Sequence, residues 1–172
     1  NRPTFDPNKP GDSNAANRRN RAISDVFEPG STFKIVAVSG ALNEGVVRLH
    51  DRFHCENGSF YFAGKVLRDH HAYSQLSVRE IITKSSNIGT AKVAMKLGAS
   101  RLHKYISELG FGQRSGGPLP GEVRGILHPV RNWSKLSISR IPMGHEIAAT
   151  PLQLVMAMSA MANGGNLMRP LL

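Results

Sequence analysis

The chain has 172 residues, enough for one domain that buries about 70% of its unfolded surface, and its 40% hydrophobic and 20% charged content is that of an ordinary globular protein. No run approaches the ~18 apolar residues of a membrane span, and the single Cys55 excludes an internal disulfide. Net charge is +10, from 22 Lys and Arg against 12 Asp and Glu, but apart from Arg18-Arg19-Asn20-Arg21 the basic residues are scattered and lie on no aromatic-basic ribbon, so no nucleic-acid partner is expected.

The chain opens on Asn1-Arg2-Pro3 without an initiator Met and closes on Pro170-Leu171-Leu172; the expectation is a fragment of a longer protein. Residues 1–22, with Pro3, Asp6-Pro7-Asn8 and Pro10-Gly11-Asp12, read as an extended loop whose arginines are solvated or ion-paired. Pro29-Gly30 is a turn, and an apolar helix follows over residues 31–42, stopped by Asn43-Glu44-Gly45. In residues 46–69 an Asn57-Gly58 turn signal stands among strand formers, and Ala63 to Leu67 is a second extended piece, which together predict one small β-hairpin. Ser77-Val78-Arg79-Glu80 is a capping box, with Leu76 and Ile81 as its hydrophobic staple, so a helix runs over residues 78–84. After Ser85-Ser86-Asn87 a helix spans 88–97, ended by Gly98, and another spans 101–109, capped by Ser100 and ended by Gly110. Residues 111–129, with Gly116-Gly117-Pro118-Leu119-Pro120-Gly121, form a long loop. A short helix lies within 133–141, and Met143-Gly144-His145 is a tight segment. Thr150-Pro151-Leu152-Gln153 opens a helix over 151–162 that is apolar nearly all round and therefore expected to be buried. Arg169 to Leu172 reads as the start of a strand.

Two places carry chemistry. Ser31 and Lys34 are three residues apart on one helical face. A serine needs an adjacent base to become a nucleophile, and a lysine serves once burial and the positive helix terminus lower its pKa. The Ser31 N–H, free at the helix start, is placed to donate to an oxyanion. On these residues alone, a capping serine beside a solvated lysine is the simpler reading. The second place is Ser85-Ser86-Asn87, at a junction of two helices. A hydroxyl there can relay a proton, and an amide can hold a lysine and a peptide carbonyl; equally, Ser86 or Asn87 caps the next helix. Cys55 lies among His54, His70 and His71, but without a second thiol or a helical His-x-x-x-His no metal or other cofactor is expected.

Ser-x-x-Lys followed some fifty residues later by Ser-x-Asn is the order of penicillin-recognising serine enzymes. Arg19-Asn20-Arg21-Ala22, Phe27-Glu28-Pro29-Gly30-Ser31-Thr32-Phe33-Lys34, Ser85-Ser86-Asn87-Ile88-Gly89, Leu119-Pro120-Gly121-Glu122, Thr150-Pro151-Leu152-Gln153-Leu154 and Ala162-Asn163-Gly164-Gly165 follow in order. Together they resemble the transpeptidase domain of class B penicillin-binding proteins, most of all the division-specific (FtsI) type, over nearly the whole chain. The resemblance implies an α/β penicillin-binding, β-lactamase-like fold. Residues 1–172 would form one partial domain, its mainly helical part with one hairpin and long loops, the central sheet strands largely missing. It also implies a peptidoglycan DD-transpeptidase. Ser31 would be the nucleophile, Lys34 its base, Ser85 the proton relay, and Asn87 would bind Lys34 and, with Ser85, the substrate.

Partners implied by the resemblance are D-Ala-D-Ala stem peptides, β-lactam antibiotics and, for the full-length protein, divisome proteins. The implied location is the outer face of the cytoplasmic membrane, through an N-terminal anchor helix not present here. Two departures stand out. The family's Lys-Thr/Ser-Gly motif is absent, which predicts an impaired fragment, since losing one oxyanion donor costs about 3–4 kcal/mol in a comparable site. Met143-Gly144-His145-Glu146 stands where the family more often has a Gly-rich segment without His. The alternatives are a non-catalytic β-lactam-sensing domain and a serine β-lactamase.

Overall fold

The computed structural model describes residues 5–171; the readings that involve Asn1 to Pro3 and Leu172 lie outside them. The stretch expected to be a loop contains a single-turn helix, α1 (Ala15–Arg18), and a second, α2 (Arg21–Ser24), begins at its end. Each starts at an asparagine whose side chain accepts a backbone N–H two residues on: Asn14 from Ala16 and Asn20 from Ala22. The arginines there are tied locally. Arg18 donates to the Pro10 and Ser13 carbonyls at 2.6 and 2.9 Å, and Arg19 pairs with Asp25.

The first apolar helix differs from expectation at its start. Gly30–Phe33 is a 3-10 turn, and the α-helix proper, α3, runs from Lys34 to Asn43. Four short strands follow: β1 (Arg52–His54), β2 (Ser59–Phe62), β3 (Lys65–Arg68) and β4 (Gln75–Ser77). The predicted hairpin is β2–β3, in antiparallel register with Phe60 opposite Leu67 and Tyr61 opposite Val66. Its turn is Ala63-Gly64 rather than Asn57-Gly58. Glu56, Asn57 and Gly58 are all left-handed, with φ of 51°, 49° and 85°. The Gly58 N–H bonds to the Cys55 carbonyl at 2.9 Å, so Asn57-Gly58 does lie in a turn, but it joins β1 to β2, which do not pair with each other; β1 pairs with β4 in a second two-stranded sheet.

The helices with local signatures form as the sequence predicts. In α4 (Val78–Thr83) the Ser77 hydroxyl accepts the Glu80 N–H and the Glu80 carboxylate accepts the Ser77 N–H, while Leu76 and Ile81 are buried. Next come α5 (Asn87–Leu97) and α6 (Ala99–Glu108). Ser100 does not cap α6; Gly98 ends one helix and directly begins the next, so α6 starts two residues early. After the long loop come α7 (Ser137–Arg140) and α8 (Pro151–Ala162). Thr150 and Gln153 make the reciprocal cap of α8. Buried Gln153 also donates its side-chain amide to the Gln113 and Arg124 carbonyls at 2.6 and 2.9 Å, which pins the long loop onto the helix start.

The helix α8 is not buried all round. Gln153, Ala157 and Ala160 face inward, but Val155 is 60% exposed. Its apolar circumference is wider than the surface the described residues offer it. Arg169 to Leu171 are irregular rather than a strand.

The core lies between α3, α5 and α6. Val36, Ala37 and Ala41 meet Ile88, Val93, Ala94 and Leu97, with Leu102 and Ile106 behind, and Phe33 packs edge-on to Phe111 at 4.9 Å. Where α4 and α5 cross, Gly89 leaves no room for a side chain: a Cβ there would stand 2.5 Å from Ile81 Cγ1 and 2.8 Å from its Cδ1. Overpacking of this kind costs about 1–3 kcal/mol, so Gly89→Ala is expected to lower the urea midpoint by a corresponding amount, with an unchanged slope, in equilibrium unfolding.

Candidate active site

Three segments converge: the turn at residues 30–34, the junction of α4 and α5, and the residue after β3. Ser31 is exposed on the 3-10 turn. Such a turn has 3.0 residues per revolution, so positions i and i+3 eclipse each other; Ser31 and Lys34 are thus stacked more directly than an α-helix would place them. Among the described residues the Ser31 hydroxyl and its backbone N–H make no hydrogen bond, which leaves both open to a ligand.

Lys34 is 2% exposed. Its Nζ donates to the Ser85 carbonyl at 2.5 Å and to the Ser85 Oγ at 2.8 Å. Burial pushes its pKa down to about 8, against a weaker upward pull from the Asp69 carboxylate. Ser85 has φ of 54°, a left-handed conformation that costs a non-glycine residue about 1–3 kcal/mol and is characteristic of functional sites. In that conformation its carbonyl and its hydroxyl both meet the amine.

Ser86 is the N-cap of α5. Its Oγ accepts the Gly89 N–H at 2.9 Å and donates to Asp69 Oδ2 at 2.7 Å. Asp69 Oδ1 accepts the Asn87 and Ile88 N–H groups at 2.5 and 3.0 Å. One carboxylate therefore satisfies the opening of an 11-residue helix, where its charge also suits the helix dipole. The Asn87 side-chain amide donates to the Arg68 carbonyl at 2.8 Å and not to Lys34. The structure thus joins Lys34 to Ser85, stacks Ser31 one turn away, and holds Asn87 against the hairpin. Asp69 escaped the sequence reading. It is a lone acid in a histidine-flanked turn, and no local spacing links it to a helix 18 residues on. Buried Cys55, 3.7 Å from Ser86 Oγ, has its thiol pKa raised by burial and packs beneath the junction.

The Lys34 amine carries a sign-definite signature. Its folded pKa of about 8 lies below its ordinary 10.5, so between those values the unfolded chain binds more protons and stability rises with pH. Removing the Asp69 charge removes the upward pull. Asp69→Asn is expected to move the Lys34 titration midpoint lower still, read from its side-chain carbon shifts by NMR, and to lower the melting temperature through the weakened α5 cap.

Comparison with known proteins accords with this site. The family model for the penicillin binding protein transpeptidase domain matches residues 1–172. The chain is 36% identical over 168 residues to the probable peptidoglycan D,D-transpeptidase PenA of Neisseria gonorrhoeae, covering 98% of this chain and 29% of that protein. It is 33% identical over 171 residues to the peptidoglycan D,D-transpeptidase FtsI of Escherichia coli, covering 99% of this chain and 29% of that one. Its fold matches penicillin-binding protein 3 of Mycobacterium tuberculosis, in a complex with aztreonam, at a TM-score of 0.85 and 31% identity, over 96% of this chain and 37% of that one. The chain therefore spans under a third of these two curated relatives. It belongs to the penicillin-binding protein transpeptidase domain family and forms the mainly helical part of that fold.

Proposed function

We propose that the protein containing this chain is a peptidoglycan D,D-transpeptidase that works through an acyl-serine at Ser31. The observation that carries this is the buried Lys34 amine, pKa about 8, bonded to Ser85 and one turn from an exposed serine. Neutral Lys34 takes the Ser31 proton as Ser31 Oγ attacks the penultimate D-Ala carbonyl of a stem peptide. The proton passes through the Ser85 hydroxyl to the nitrogen of the departing D-Ala, and an ester remains on Ser31. The amine of a second stem then attacks that ester, its proton leaves by the same groups, and the serine hydroxyl is restored. A β-lactam enters the first step with its ring amide, whose nitrogen stays tethered after the bond opens. The Ser31 N–H is one oxyanion donor.

Asn87 is assigned the substrate's peptide group, which its amide reaches by leaving the Arg68 carbonyl. Relatives named D,D-transpeptidases and a neighbour solved with aztreonam support stem peptides and β-lactams as ligands. Placement at the outer face of the cytoplasmic membrane and service to divisome partners belong to the same proposal; among the described residues no helix is long and apolar enough to cross a membrane. With no Lys-Thr/Ser-Gly segment in its sequence, this chain alone would acylate slowly.

Incubation with excess penicillin followed by intact mass is expected to show one β-lactam added, and none on Ser31→Ala. The acylation rate is expected to climb as pH passes about 8, where Lys34 loses its proton, and to drop about 10²-fold in Ser85→Ala, as for other proton-relay groups. A chain carrying the third motif that still takes up no penicillin would refute the assignment. Rapid release of the opened drug would mark a β-lactamase instead.

A further inference from the structure

Lys34 and Ser85 secure one side of the Ser31 turn. Its other side is held by a segment 117 residues away in sequence. The Glu28 carboxylate, three positions before the serine, bridges two groups there: Oε2 lies 2.9 Å from His145 Nδ1, and Oε1 accepts the Glu146 N–H at 3.0 Å. Between these contacts the Gly30 N–H reaches the Gly144 carbonyl at 3.4 Å. The two backbones touch so closely that a Cβ on Gly144, at φ of 80°, would collide with the Gly30 nitrogen and carbonyl. Farther out, Phe27 and Ala149 exchange two backbone bonds of 3.0 Å.

The far segment is itself anchored. The Glu146 carboxylate accepts from Ser137 Oγ at 2.6 Å and from Arg140 at 3.3 Å, and the His145 N–H bonds to the Arg140 carbonyl at 3.2 Å. Both of those partners lie on α7, which packs against α5. So Glu28 ties the nucleophile turn to α7, which packs against the helix that Ser86 and Asp69 cap. The Glu28 and His145 side chains are about half exposed, 55% and 54%, so their contact contributes little stability. What the contact supplies is geometry. The other charges at this place are the Arg140–Glu146 pair and Lys65 of the hairpin, around a cavity of about 380 Å³.

We propose that Glu28 is a positioning residue for Ser31: by bridging His145 and the Glu146 N–H it seats the 3-10 turn against Gly144 and sets the approach of the Ser31 hydroxyl. This rests on reading Ser31 as the acylated nucleophile. Misplacement of a reacting group by about 1 Å costs up to about 10²-fold in rate, whereas binding of the drug before reaction depends on the rest of the cleft.

The test is stopped-flow acylation of the full-length protein by a fluorescent penicillin, which separates the pre-covalent Kd from the acylation rate constant. Glu28→Ala is expected to slow acylation about tenfold or more, within the range of a misplaced reactant, with Kd unchanged. Glu28→Gln, which still accepts the Glu146 N–H, is expected to recover most of the rate. His145→Ala is expected to fall between the two and to add nothing to Glu28→Ala; it carries the test if Glu28→Ala does not fold. Wild-type rates in Glu28→Ala, or in His145→Ala where that variant alone folds, overturn the proposal. So does a parallel loss of rate, Kd and melting temperature, which marks general loosening. A wild-type protein that is never acylated overturns the reading of Ser31 itself, and the proposal with it.

Discussion

The arrangement depends on one buried amine. Lys34 has lost nearly all contact with water, and a buried ammonium is costly unless it is partnered or gives up its proton. The chain does part of each. Ser85 turns both a carbonyl and a hydroxyl toward the nitrogen, and the pKa comes down to the region where a neutral amine is available near physiological pH. The unfavourable backbone of Ser85 is held by what surrounds it, since Ser86 and Asn87 are fastened to Asp69 on the next two residues.

Around that amine the structure is stiff. The α4–α5 crossing at Gly89 and the backbone contact of Gly30 with Gly144 are close approaches with no slack. Both are within a few residues of the reacting groups. Rigid support of this kind lets a site hold its geometry before substrate arrives. The exposed side of α8, with Val155 outward, is a different kind of surface, apolar and remote from Ser31.

What the sequence revealed was what it encodes locally. The capping boxes at Ser77–Glu80 and Thr150–Gln153 span four residues and formed as read. The Ser31–Lys34 and Ser85–Asn87 motifs were legible because their order along the chain resembles a known family. The hairpin was foreseen, but its turn was misplaced, because Asn57-Gly58 is a stronger local turn signal than Ala63-Gly64 and only the pairing of β1 with β4 and of β2 with β3 decides between them. Helix α6 began two residues early because Gly98 served as a boundary without any capping side chain. Asp69 and the Glu28–His145 contact were invisible for a common reason: each joins residues far apart in sequence, and no periodicity marks them.

Gln153 shows how such a long-range contact constrains a protein over generations. Its amide grips the long loop through the carbonyls of Gln113 and Arg124. A carbonyl is common to all twenty amino acids, so as far as this contact goes the loop is free to drift through almost any sequence while remaining fastened. The glutamine has no such freedom. Aspartate or asparagine is too short to span the distance, and glutamate would turn an acceptor toward acceptors. The loop and the glutamine are two ends of one contact, and through it mutation is expected to meet them with very different tolerance.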